Sequence, residues 1–430
     1  MKSKITFLIL LFSVAAASAQ NYIHKVIVLN EGHYDYINQV QTVPVTIGAY
    51  DTVSHLYQQF DVIQDARFAT CVVTDGNSIY AAADSFIIRY DINTYQLLSV
   101  TTMHGVRKLA VWNNQLLASR GEYLMTFNSY FSVFDKNTLL PLYDLPVANG
   151  PQYSTEGIVV NNNKAYVAIN NGFEWGNEKG LIGIVDLNTQ TYLSEIDLGP
   201  TGKNPEYMAL LNNQIITVNN RDFTAASISS VDISSTAVNT VDLGIASGCG
   251  GSVLVANEIY YQPSSATHLG KFSTQTMSNT GTLSINKNIY GMAHDDINNL
   301  VYMGETDYLT WGKIFIYQPN GTVIDSFDVS VAPGNIAFDI RSVAGVGERD
   351  LESIFFIYPN PAGSEFSIFN FQLPILSFEI FNALGQRVFS KQQTTNDKIQ
   401  TVNVSSLSPG VYMLSIKTDE VTLNRKFIKQ

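Results

Sequence analysis

The chain has 430 residues, 25 Lys/Arg against 37 Asp/Glu, and a formal net charge of −12. The imbalance is concentrated between residues 20 and 354, which hold 16 basic and 32 acidic residues and no basic patch to gather phosphates, so nucleic acid is not an expected partner. Only two cysteines occur, Cys71 and Cys249, in different repeat units, so the fold must be held by its core and both thiols are expected to be buried.

The first 19 residues place Lys2 and Lys4 before the apolar run "ITFLILLFSVAAA", with Ala17 and Ala19 flanking Ser18. That layout predicts a secretory signal at 1–19 and a mature chain starting at Gln20. No cysteine stands at the cleavage site, so no lipid anchor is expected there. No later stretch approaches the roughly 20 apolar residues that a membrane-spanning helix needs.

From residue 67 the sequence repeats. Six hairpin signals, each an apolar run, a polar turn and a second β-rich run, are marked by Asn77, Asn114, Asn163, Asn213, Asn257 and Asn299. Each is followed by a second pair of strand-like runs, such as "IIRYDINTYQLLSV" and "GIVDLNTQTYLSEIDL". Four short strands in about 45 residues is the period of a β-propeller blade. The flanks complement one another: "HKVIVLN" and "IGAYDTVSHLYQQFDV" supply three strands without an inner one, and "GNIAFDIRSV" is an inner strand without a blade. Combining them predicts an all-β, seven-bladed propeller over 20–342, closed by both ends of the domain and leaving no free sheet edge. The blades are expected near 24–62 plus 334–342, 67–102, 106–147, 155–198, 205–243, 249–283 and 289–329.

In this architecture the connections between second and third strands emerge on one face, and here they are long and aromatic. The first carries Glu31, His33 and Tyr34; the one at 119–130 carries Arg120 and Tyr123; "NNGFEWGNEKG" at 170–180 carries Asn171, Phe173, Glu174 and Trp175. Arg221 and Asp222 follow at 219–227, and Glu305, Asp307, Tyr308 and Trp311 at 304–313. Aromatic rings supply rigid apolar area, and Asn, Arg and carboxylates orient a polar molecule, so these loops are the candidate ligand-binding surface. The plain alternative is that Phe173, Trp175 and Trp311 cap blade edges while the charges are solvated.

Motifs that announce catalysis are missing: there is no HExxH, GxSxG, Walker-type loop or Cys-x-x-Cys. The glycine-rich "SGCGGS" at 247–252 lacks the strand-to-helix context of a phosphate cradle and reads as close packing near the propeller axis. His33, His104 and His268 share the loop face, yet their blades are not all adjacent, so ordinary loop histidines are expected and no metal site is assigned. Glu31, Glu174 and Asp307 could hold calcium or act as acid and base, but nothing in their spacing sets them apart from solvated carboxylates. No cofactor can be named, and the chain reads as a binder more than an enzyme.

Beyond a charged linker at 343–354, residues 355–430 read as a separate β-sandwich of alternating runs with turns at Gly385 and Gly410. In the family order, Pro359, Asn360, Pro361, Leu384, Gly385, Gly410, Tyr412, Lys426 and Phe427 closely resemble the C-terminal sorting domain of Bacteroidetes type IX secretion. The resemblance implies the type IX machinery as a partner, passage through the outer membrane, removal of the tail, and release or surface attachment. The opening "HKVIVLNEGHYDYINQVQTVPV" and the "IVDLNTQTYLSEIDLG" repeats resemble YncE-like and surface-layer-type propellers, a set that includes proteins capturing cobalamin. That resemblance implies a corrinoid or other small ligand; a surface protein or glycan partner, or a lactonase-type or quinone-dependent enzyme, are the alternatives.

Overall fold

A computed structural model describes residues 20–221, 224–247, 251–343, 356–369, 375–382, 384–392, 400–418 and 422–430. The predicted signal, nearly all of the predicted linker, Asp222 and Cys249 lie outside the described residues. Cys71 is buried and accepts the backbone N–H of Leu109 at 3.3 Å.

Residues 20 to 343 form seven four-stranded antiparallel sheets and one small hairpin. Blade 2 shows the plan: Ala69–Asp75, Ser78–Ala83, Phe86–Asp91 and Leu97–Thr102 pair in chain order. Blades 3 to 7 repeat it from inner strands Val106–Trp112, Thr155–Asn161, Pro205–Leu211, Ser252–Val255 and Ile289–Asp295. Blade 1 is composite: Asn335–Val343 supplies its inner strand, followed by Gln20–Asn30, Val45–Asp51 and Tyr57–Ile63.

The second strands explain why their sequences are almost continuously apolar. A strand's side chains alternate between its two faces, and here both faces are covered by neighbouring blades. In blade 2, Ile79, Ala81 and Ala83 pack into a cluster shared with blade 1, while Tyr80 and Ala82 enter the one shared with blade 3. The same division recurs around the ring, giving a separate apolar core in each gap between blades. The last gap joins blade 7 to blade 1 through Val26, Val28, Tyr50, Tyr302, Ile314 and Phe327. There Tyr50 stacks on Phe327 at 3.9 Å and donates to Asp325 at 2.8 Å.

Connections between first and second strands, on the face opposite the candidate loops, are two-residue turns in blades 2 to 6, with Gly76, Asn113, Asn162, Asn212 or Ala256 at positive φ. Most turns into the outer strands begin with an aspartate, Asp51, Asp91, Asp135, Asp186 or Asp232, whose Oδ1 accepts the N–H groups two and three residues on. These Asx turns keep that face compact.

The C-terminal unit is built from two sheets. One contains Phe356–Tyr358, Glu365–Phe369 and Gln400–Asn403; the other orders Arg387–Gln392, Ile375–Asn382, Gly410–Thr418 and Thr422–Lys429. Its core includes Phe366, Phe378, Tyr412, Leu414 and Phe427.

Candidate functional site

Inner strands start at the loop face and run down the axis, so the first residues of each inner strand line the mouth of the central channel. Five of them carry a register irregularity at that point, between Ala69 and Cys71, Val106 and Leu109, Thr155 and Ile158, Pro205 and Tyr207, and Ile289 and Gly291. An extra residue in one strand re-aims its side chain. The residues at these irregularities include Arg107, Lys108, Glu156, Glu206 and Tyr290, a polar floor at the axis.

Charge on that floor is unevenly matched. Glu156, only 3% exposed, accepts Arg107 at 2.7 and 3.2 Å and has Lys108 Nζ at 3.7 Å. Lys108 also donates to the Thr70 carbonyl at 2.6 Å. Glu206 instead accepts two amides, Asn220 at 3.1 Å and Asn204 at 3.4 Å. Burial and then the neighbouring charge of Glu156 push the Glu206 carboxyl up to about 7. Glu31 accepts the Tyr290 hydroxyl, and burial raises its carboxyl above the ordinary range, with Tyr290, Arg107 and Lys108 acting in the opposite sense. Apart from Glu31, none of these floor residues was singled out from the sequence. Their signal would have been a charged or aromatic residue at the second position of consecutive inner strands.

Above the floor stand the loops. Arg107 lies 5.1 Å from the Phe173 ring, which joins loop 170–180 to the axis. The base of that loop seats on Asn204: a Cβ at Gly172 would come within 2.7 Å of Asn204 Oδ1, so a larger residue would have to displace that side chain. Trp175 projects 76% exposed, 6.3 Å from Tyr123. Tyr308 meets Tyr290 edge-on at 5.2 Å. Tyr36, Ile37, Leu124, Met125, Leu309 and Trp311 add further exposed apolar surface to the same loops.

The remaining residues singled out from the sequence are engaged within their own loops or by a neighbouring connection. Asn171 is buried and donates to Glu174 at 2.8 Å and to the Asn177 carbonyl at 3.1 Å, and these amides hold the Glu174 carboxyl low. Asp307 accepts Thr310, Leu309 and Trp311, which likewise lowers its carboxyl. His33 bonds Thr42 at 2.5 Å within the hairpin His33–Asp35 to Val40–Val43, and Tyr34 meets Tyr36 at 4.9 Å. Arg120 covers Phe127 at 3.9 Å and donates to the His104 carbonyl at 2.7 Å; Arg221 pairs with Asp242 and Glu305 with Lys287. Among the described residues no group of three His, Cys, Asp or Glu could hold a metal ion. A further network went unread: Arg67 grips Asp84 at 2.7 Å and Glu122 at 3.0 Å, tying three connections of the loop face together.

In the C-terminal unit the motif residues divide between core and turns. Phe427 is fully buried and stacks with Tyr412 at 5.6 Å, while Asn360 accepts the Ile428 N–H at 2.9 Å. Pro359, Pro361, Leu384 and Lys426 are exposed, and Gly385 takes a positive φ in the turn after Asn382.

No curated protein matches the chain. Among solved structures it is similar to the extracellular domain of a one-component system from B. thetaiotaomicron, at 14% identity and a TM-score of 0.52, covering 94% of this chain and 57% of that one. A hypothetical selenium-binding protein from Sulfolobus tokodaii aligns at 10% identity and TM-score 0.54, covering 76% and 94%. A β-propeller domain from Myceliophteria thermophila aligns at 11% and 0.50, covering 70% and 99%. The chain thus spans less than two thirds of the first of these, and at such identities the likeness is one of fold. Residues 356–430 match the family model described as the secretion system C-terminal sorting domain. The protein therefore joins a seven-sheet propeller to a sorting domain of type IX secretion, and it is exported by that system to the bacterial cell surface.

Proposed function

We propose that this exported propeller is a binding protein that captures a small organic ligand on its loop face. One observation carries the reading: exposed aromatic side chains gather on a single face, around a floor of polar side chains presented by irregular inner strands. The corrinoid suggested by the YncE-like resemblance is the most specific candidate, since a flat macrocycle edged with amides would find both stacking surfaces and acceptors there. The test is thermal stability of the mature protein against cobalamin, other tetrapyrroles, sugars and divalent metals, because a ligand that binds only the native state raises Tm. A ligand so found should bind the Trp175→Ala/Tyr123→Ala double variant at least about tenfold more weakly, with the variant's own Tm nearly unchanged. Unaltered affinity would remove these loops from the site.

A second reading has its own support. Ile37 and Leu124, 92% and 85% exposed, extend the apolar area past what a small molecule covers, as a protein or glycan partner would require. Binding to whole cells or surface polymers, with no shift from any small compound, would favour it. The enzymatic alternative draws on Glu206, a half-buried carboxyl on an inner strand raised to about 7; turnover abolished by Glu206→Gln would establish it.

A further inference from the structure

Where blade 1 meets blade 7 at the mouth of the channel, Tyr290 and Tyr308 stand at 77° to one another, 5.2 Å apart. Glu31 sits at this corner, held by the Tyr290 hydroxyl, and its backbone N–H is fixed at 2.9 Å on the Ala332 carbonyl. Tyr290 and Glu31 are half-buried and Tyr308 is exposed, so the corner opens toward solvent. Two rings at 77° to one another, one of them hydrogen-bonded to a carboxylate, offer two aromatic faces and a counter-charge to a cation.

The surrounding charge points the same way. Among the described residues, Glu31 and Glu206 have no Lys, Arg or His in ion-pair contact, whereas Arg107 and Lys108 are taken by Glu156, Lys287 by Glu305 and Arg67 by Asp84 and Glu122. At the floor itself an anionic ligand would find Arg107 and Lys108 already engaged by Glu156. An incoming cation would meet two carboxyl groups hydrogen-bonded by the neutral donors Tyr290, Asn220 and Asn204, with Arg107 and Lys108 acting on them only at longer range, in a domain whose overall field attracts it.

Resting on the reading of this face as a ligand site, we infer that the group it receives at the channel mouth is an organic ammonium, held against Tyr308 and Tyr290 and paired with Glu31. The experiment compares choline with its neutral isostere 3,3-dimethylbutan-1-ol by calorimetric titration of the full mature protein, then repeats the comparison with Glu31→Gln and Tyr308→Leu. Glu31→Gln keeps an acceptor for Tyr290 and removes only charge; Tyr308 lies on an exposed loop, so its variant guards against a folding defect in the first. The wild-type protein should prefer choline by about tenfold, the size of one well-shielded cation–aromatic contact, and each variant should lose most of that preference. Equal binding of the two probes, a preference that survives both variants, or no choline binding at its solubility limit would overturn the inference. If cobalamin or a sugar still shifts Tm in that last case, capture by this face stands and only the ammonium assignment falls.

Discussion

Glu206 is the residue whose chemistry is easiest to follow from outside. Its carboxyl is held near 7 in the folded protein, above the value of about 4.3 in an unfolded chain. The folded state therefore binds the extra proton between these values, so its stabilising contribution is complete below about pH 4 and disappears as pH rises through 7. Glu206→Gln should match wild type in denaturant titrations at pH 4 and exceed it at pH 8, by about 1–2 kcal/mol once solvent access from the channel is allowed for. An advantage that did not change with pH would show that Glu206 titrates normally. Glu156, one blade away, is placed differently: it accepts two hydrogen bonds from Arg107 and has Lys108 in ion-pair range.

At the scale of the strand, each blade interleaves small and large residues where backbones or rings come close. Gly270, in the third strand of blade 6, faces the Tyr261 ring so tightly that an added Cβ would lie 2.1 Å from Cζ. Gly270→Ala must displace a buried tyrosine and should cost about 1–3 kcal/mol by chemical denaturation, whereas the same change at Gly281, which has open space around it, is penalised only by its backbone angle. The strand irregularities at the axis are the functional counterpart of such packing. A regular strand would have turned alternate residues into the blade gaps; the extra residue directs Arg107, Glu206 and Tyr290 toward the channel instead.

For the whole molecule, the decisive interface is the seam where the two ends of the propeller meet. Phe327 lies under Tyr50 and Tyr57, and Asp325 receives both Tyr50 and His55. Phe327→Ala should destabilise the propeller by about 3–5 kcal/mol, because the cavity opens at the contact that shuts the ring. A loss below 1 kcal/mol would mean that the inner strand Asn335–Val343 closes the structure alone. Export is the other whole-molecule property: a chain ending at residue 343 should fold and remain in the periplasm, and its appearance in the medium or on the cell surface would deny the tail its sorting role.

How much of this was legible depended on the range over which each signal acts. Strand content, the repeat, the complementary end segments and the tail's Pro-Asn-Pro and Gly-turn motifs were readable because alternation and turn chemistry are local, and a repeated local pattern implies the sheet that buries it. The loop face was readable for the same reason, since loop length and aromatic content sit in consecutive residues such as Phe173 to Trp175. What the sequence could not show was which loop polar groups are already spent: Asn171, Glu174 and Asp307 looked like ligands and bind their own backbones and neighbours. Most of the floor was also hidden, because Arg107, Glu156, Glu206 and Tyr290 are far apart in the chain and become one site only when the inner strands converge on an axis. By itself, then, the sequence determined the blades, their number and the route of export, all set by short-range patterns. Only the tertiary structure decided which charges neutralise each other and which carboxylates are left facing the channel, since electrostatics depends on distance in space rather than along the chain.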